Sequence, residues 1–221
     1  MACLCVAGRA VRLRRGVNVF DRAYEGVPSW ETGRPQGAVV RLAEAGLVAG
    51  SVLDVGCGTG LNSLFLAERG HPVIGIDIAA AAISRATAAS GERDVPADFL
   101  VLDAQQLAEL GRSFDTITDI GMFHTLQPFD RVAYAASLRT AIAPGGRCLV
   151  LCWSERNAFG YGPQRITRGM IRAAFSIGWR LEGIRAETLE TRLEGGTAHA
   201  WLACLRPRRV RGPIADRGPS T

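Results

Sequence analysis

Lysine is absent from this chain: all 26 basic residues are arginine. Without lysine there is no P-loop phosphate clamp and no Schiff-base chemistry, because both need a primary amine. No apolar run reaches the ~20 residues that a membrane-spanning helix requires, so no membrane partner is expected. The six cysteines stand singly, with no C-x-x-C pair. That spacing predicts no zinc or other metal site and no disulfide framework. Free thiols suit a reducing compartment, so a cytoplasmic location is expected. The mildly apolar start, Met1 to Ala7, precedes the basic cluster. A secretory signal has the reverse order, so no export signal is expected.

The net charge of +5 invites a nucleic-acid reading until it is located along the chain. Residues 1–16 carry four Arg and no acid, and residues 206–221 carry five Arg and one Asp. The ends therefore hold +8, and the body from 17 to 205 holds −3. Solvated basic tails, rather than a nucleic-acid grip, are the expectation.

The body is organised around Ser51-Val52-Leu53-Asp54-Val55-Gly56-Cys57-Gly58-Thr59-Gly60. A short apolar strand meets glycines at alternate positions, and an apolar helix begins at Leu61. Glycines in such a turn permit unusual dihedrals or the close approach of a ligand. The helix N-terminus offers free N–H groups above the turn.

Strand and helix signals then alternate. Strands are expected at 52–55, 72–77, 98–103, 114–120 and 147–153. Helices are expected at 37–45, 61–69, 79–89 and 131–142, with a short one ending at Leu110 and another from a Thr167 cap to Ile177. Two last strands, 179–192 and 198–205, flank a Glu194-Gly195-Gly196-Thr197 turn and read as a hairpin. The pattern predicts an α/β, Rossmann-like, doubly wound fold. Its seven-stranded sheet would be mostly parallel with a C-terminal antiparallel hairpin. Ligands of such sheets sit beyond the carboxyl ends of the strands. One domain over 17–205 is expected, between a basic leader (1–16) and an Arg/Pro-rich tail (206–221).

Acids stand at three strand ends: Asp54, Asp77 and Asp103. Asp77 lies 23 residues after Asp54, where a carboxylate accepts hydrogen bonds from a ribose diol. The blander reading of Asp77 is a helix cap. The spacing Gly56-x-Gly58-x-Gly60 is one residue tighter than the dinucleotide pattern, and Asp54 stands beside it. A carboxylate there repels a pyrophosphate and suits a cationic amine. S-adenosylmethionine, with an amino acid end and an adenosine end, fits both features.

Leu53 to Gly60, Gly75-Ile76-Asp77, Leu102-Asp103-Ala104, Phe114-Asp115 and Pro144-Gly145-Gly146 resemble the successive motifs of class I S-adenosylmethionine-dependent methyltransferases. The resemblance covers roughly residues 20–205. A narrower likeness lies in Tyr24 to Gln36 and in Asp119 to His124. These resemble the small-molecule branch with thiopurine, tellurite-resistance and halide/thiol methyltransferases. The resemblance implies that 17–50 forms a lid, with Trp30 touching the cofactor and Phe20 and Tyr24 beside it. It implies an S-adenosylmethionine site (leaving S-adenosylhomocysteine) built from Asp54, Gly56, Gly58, Gly60, Asp77 and Ile78. Asp103 and Ala104 would meet the adenine, and Asp119 and Ile120 would border the site from strand four.

The acceptor side is more open. His124 follows strand four, and three readings stand: a general base, a substrate contact, or a packed histidine. Asp119 is a second catalytic candidate, against a role in holding the loop by hydrogen bonds. After strand five, Arg156, Phe159 and Tyr161 are candidate acceptor contacts, against a plain linker. The expected reaction is methyl transfer to an O, N or S nucleophile of a small aromatic, heterocyclic or thiol acceptor, by a monomer or homodimer. An NAD-linked oxidoreductase and a nucleic-acid methyltransferase are the competing readings.

Overall fold

A computed structural model describes residues 19–158 and 162–208. Seven strands form one sheet in the order β3-β2-β1-β4-β5-β7-β6. They are β1 (Val52–Val55), β2 (Val73–Asp77), β3 (Ala97–Val101), β4 (Phe114–Ile120), β5 (Ile142–Trp153), β6 (Trp179–Glu190) and β7 (Thr197–Pro207). The first five are parallel, and β7 lies antiparallel between β5 and β6. The doubly wound, mostly parallel sheet with an antiparallel hairpin is therefore present.

All four residues of β1 are buried, as a strand covered on both faces requires. Helices α3 (Leu61–Ala67) and α2 (Gly37–Glu44) pack one face, where Val39, Leu42, Phe65 and Leu66 meet Leu149, Leu151 and Leu202. The other face is covered by α5 (Arg131–Ala141), α6 (Arg168–Ala174) and a 3-10 turn over Ala104–Leu110. There Leu107, Tyr134, Leu138 and Phe175 close over Leu53, Ile117 and Val150. Helix α1 (Val19–Ala23) leads into a segment that packs on α4 (Ala80–Arg93) through Tyr24, Ala79 and Ala82.

Several boundaries differ from the sequence expectation: α3 ends at Ala67, α4 runs on to Arg93 and β3 spans Ala97–Val101. β5 begins at Ile142 and runs through Pro144-Gly145-Gly146, with an irregularity opposite Phe114 and Thr116. A Cβ on Gly146 would stand 2.9 Å from Asp115 O, so the glycine lets two strands meet where its pattern reads as a helix stop. α6 ends at Ala174 rather than Ile177. β7 extends to Pro207, and the Arg208 N–H donates to Gly178 O at 2.8 Å. The ordered edge thus takes in the start of the segment read as a tail.

Candidate functional site

The turn between β1 and α3 is left-handed at each glycine: φ is +70° at Gly56, +57° at Gly58 and +80° at Gly60. Only glycine takes such dihedrals freely. The turn is also crowded by the protein itself. A Cβ on Gly56 would lie 2.8 Å from Met122 Cβ, one on Gly58 2.8 Å from Tyr24 Oη, and one on Gly60 2.7 Å from Phe99 Cζ. The glycines therefore serve packing against the lid and neighbouring strands as well as access.

Asp54 lies beneath the turn, 1% exposed. One oxygen accepts from Ser63 Oγ at 2.6 Å and the other from Thr118 Oγ1 at 2.8 Å. Burial raises its pKa against those hydrogen bonds, and the Asp77 charge adds to the rise. Both of its oxygens are thus held beneath the turn by Ser63 and Thr118.

Asp77 ends β2 in the predicted place. Its Oδ2 accepts from the Gly58 N–H at 3.0 Å and its Oδ1 from the Ala79 N–H at 2.9 Å. The carboxylate thus ties the residue that leads into α4 to the glycine turn. Burial raises its pKa, opposed by the amide donors. Ile78 follows, 43% exposed beside the turn. At the next strand end, Asp103 Oδ1 accepts from the Gln105 N–H at 2.9 Å, and Ala104 is buried. Asp77 and Asp103 therefore stand at the ends of adjacent parallel strands.

The lid segment docks on the turn. Trp30 Nε1 donates to Tyr24 Oη at 3.0 Å, and both Phe20 and Tyr24 meet the indole edge-on, at 6.4 and 6.1 Å. Burial pushes the Tyr24 hydroxyl well above its ordinary pKa. Arg85 of α4 donates to Tyr24 O and Gly26 O. Glu31 accepts from Thr59 Oγ1 at 2.5 Å. Glu31 is not among the residues expected from the sequence; its place next to Trp30 is the one local signal for it. Among the described residues, Glu31, Asp54 and Asp77 form no ion pair with an arginine. Three acids thus gather at the turn with no arginine paired to them among the described residues. That arrangement fits a cofactor carrying ammonium and sulfonium charge, and it opposes a pyrophosphate.

The loop after β4 is set by Asp119, which is fully buried. Its Oδ1 accepts from the N–H groups of Met122 (2.9 Å) and Phe123 (3.1 Å), and its Oδ2 from Tyr134 Oη (2.7 Å). Burial raises its pKa to about 7 against those donors. Every described contact of this carboxylate holds the loop together. Ile120 is partly buried and packs with the α2–α3 face.

His124 is 7% exposed, and its Nδ1 accepts from the Trp153 N–H at 3.1 Å. The neutral ring therefore carries its proton on Nε2. Burial lowers its pKa to about 4. The reading of His124 as a general base meets a physical objection: its lone pair is already bound, and the ring presents a donor. Arg156 is exposed, its guanidinium 4.6 Å from the Trp201 ring centre. Phe159 and Tyr161, the other two acceptor candidates, lie outside the described residues.

A seven-stranded sheet of this order, with a glycine turn after β1 and acids after β2 and β3, is a doubly wound α/β architecture whose ligands sit beyond the carboxyl ends of the strands. A family model described as "Methyltransferase domain" matches residues 52–146. The chain is 33% identical over 190 residues to a 2-heptyl-1-hydroxyquinolin-4(1H)-one methyltransferase of Mycobacteroides abscessus, covering 80% of this chain and 83% of that one. It is 26% identical to a probable thiol methyltransferase of Arabidopsis thaliana, covering 73% and 78%. A solved structure from work on the conversion of a disulfide bond into a thioacetal group during echinomycin biosynthesis superposes with a TM-score of 0.79. Identity is 33%, and 86% of this chain and 91% of that one are covered. The chain belongs to the S-adenosylmethionine-dependent methyltransferases.

Proposed function

We propose that this protein moves the S-adenosylmethionine methyl group to an oxygen, nitrogen or sulfur nucleophile of a small aromatic, heterocyclic or thiol acceptor. The observation that carries the reading is the gathering of the carboxyl groups of Glu31, Asp54 and Asp77 around a left-handed glycine turn, none of them in an ion pair with an arginine among the described residues. The activities named for the relatives, on a hydroxyquinolone and on thiols, agree with the acceptor class.

The cofactor supplies an activated methyl group when bound. Asp77 has lone pairs free for the ribose hydroxyls while it holds Gly58 and Ala79. Asp103 and Ala104 present a carboxylate and a backbone amide to the adenine. Ile78 and Trp30, each 43% exposed, form apolar walls that exclude water. Gly56 and Gly58 bring backbone polar groups to the amino acid end, with Asp54 beneath them. On the acceptor side, Asp119 orders the loop that carries His124, and His124 contributes a donor. In-line displacement gains chiefly from such positioning. An acceptor that is already anionic needs no base, so this reading requires neither a catalytic His124 nor a metal.

Calorimetric titration of S-adenosylmethionine, S-adenosylhomocysteine and NADH, with methyl transfer to a panel of phenols, N-hydroxy heterocycles and thiols, tests the proposal. Binding of the two sulfur ligands and turnover of at least one acceptor are expected. NADH binding with no S-adenosylmethionine binding would overturn it in favour of the oxidoreductase. A nucleic-acid acceptor is disfavoured because Asp119, the polar residue near the end of β4, is enclosed by Tyr134 and the loop amides. Among the described residues no helix is long and apolar enough to cross a membrane, and a cytoplasmic site of action is part of this reading.

A further inference from the structure

The lid segment from Tyr24 to Gln36 is fastened to the elements around it. Arg85 of α4 donates to Tyr24 O and Gly26 O. The Arg192 N–H, just beyond β6, donates to Ser29 O at 2.7 Å. The Gln36 N–H donates to Asn62 Oδ1 at 2.9 Å, and the Gln36 side chain pairs with the backbone of Glu190. Two side chains of the segment reach inward to the glycine turn. Tyr24 Oη and Glu31 Oε1 lie 2.8 and 3.0 Å from where a Cβ on Gly58 would stand. Glu31 Oε2 accepts from Thr59 Oγ1 at 2.5 Å, and its Oε1 accepts from the Thr59 N–H at 3.5 Å. Glu31 thus latches the lid to the turn, next to the half-exposed Trp30.

Thr59 asks only for an acceptor, which a neutral glutamine amide would supply as well. Glutamate adds a negative charge where the field is already negative. Asp77 accepts from the Gly58 N–H at 3.0 Å on the same turn. Burial raises the pKa of the Tyr24 hydroxyl and of the Cys57 thiol, and the charges of Asp77 and Glu31 raise both further. Among the described residues no arginine forms an ion pair with Glu31. A charged latch in such a field holds weakly over a neutral occupant and firmly over a cation. A neutral latch would hold equally over both.

Resting on the methyl-transfer reading above, we propose that Glu31 is a positioning residue that latches the lid over the charged cofactor and loosens it over the spent one. In the transfer, the acceptor's lone pair forms the bond to the methyl carbon, and the electron pair of the carbon–sulfur bond returns to sulfur. The sulfonium charge disappears in that step, so S-adenosylmethionine is a net cation and S-adenosylhomocysteine is not. The attraction that favours the charged latch is lost with it. The lid therefore holds while water must be excluded and relaxes when product must leave. Glu31 acts through Thr59 and the glycine turn, and Trp30 moves with it.

The test uses the full chain with S-adenosylmethionine, S-adenosylhomocysteine and sinefungin, in which a carbon bearing an amine stands in place of the methylated sulfur and keeps the positive charge. Calorimetry gives the affinities, and amide hydrogen exchange follows the lid from Tyr24 to Arg34. In the wild type the two cationic ligands should slow lid exchange about 3-fold or more beyond S-adenosylhomocysteine. Glu31→Gln keeps an acceptor for Thr59 and deletes the charge. It should cut the preference for sinefungin over S-adenosylhomocysteine about 5-fold or more and equalise lid exchange under the two. Thr59→Val deletes the hydrogen bond and keeps the charge, so it should speed lid exchange with every ligand. The inference is overturned if Glu31→Gln leaves the preference within about 2-fold of wild type, or if the wild-type lid exchanges equally under cationic and neutral ligands. Failure of the wild type to bind any of the three would instead sink the methyl-transfer reading.

Discussion

The carboxylate of Asp77 accepts the amide of Gly58 at 3.0 Å, so the end of β2 and the glycine turn after β1 are one hydrogen-bonded unit. The residue best placed for a ribose thereby also shapes the loop that meets the amino acid end of the same molecule. Replacing Asp77 by Ala should weaken S-adenosylmethionine about 10- to 100-fold, the loss expected for hydrogen bonds to a charged group. Asn keeps an acceptor oxygen and should fall between Ala and wild type. Calorimetric Kd values check this, and equal affinity for Ala and wild type would reject the ribose role.

Gly58 carries a second prediction. Its φ of +57° opposes a side chain, and so does the Tyr24 oxygen, 2.8 Å from where a Cβ would stand. Gly58→Ala should cost about 1–3 kcal/mol in chemical denaturation. It should also displace the lid, so that Trp30 fluorescence becomes more solvent-like. Pairing it with Tyr24→Phe separates the two causes, because the phenol oxygen is removed while the backbone strain remains.

Asp119 predicts a pH signature. Burial raises its pKa to about 7 in the folded chain, against about 4 when unfolded. Between these values the folded state binds more protons, so stability falls as pH rises. The contribution of the protonated acid is full below about pH 4 and is lost through about pH 7. Asp119→Asn should flatten this dependence, which melting curves between about pH 5 and pH 8 would show. Parallel curves for the two proteins would refute it. Asp119→Ala, by contrast, strands the Tyr134 hydroxyl and two loop amides and should cost about 3 kcal/mol or more.

His124 presents Nε2–H and has its pKa lowered to about 4. A rate profile governed by this ring would bend near pH 4 and not near about 6.5. His124→Asn keeps an oxygen able to accept the Trp153 N–H, so it should retain stability. His124→Ala should lose about 1–3 kcal/mol. A fall in rate below about pH 6.5 that vanishes in His124→Asn would restore the general base.

Much of the site was legible because its parts lie close together in sequence. The turn from Asp54 to Gly60 is a local structure, and glycine's freedom is a property of single residues. Asp77 and Asp103 were found because strand ends follow from apolar runs. Glu31 was not singled out. It matters through a residue remote in sequence: it reaches Thr59, 28 residues on.

By itself the sequence determined the alternating α/β order, the glycine turn and the strand-end acids, since periodicity and local dihedral preference act over a few neighbours. Only the tertiary structure decided what those groups face. It turned Asp54 inward to Ser63 and Thr118, committed Asp119 to Tyr134 and its own loop, and bound the His124 lone pair to Trp153. Hydrogen-bond partners and desolvation arise from packing between distant segments, and they decide whether an acid, a base or a cation is free to act.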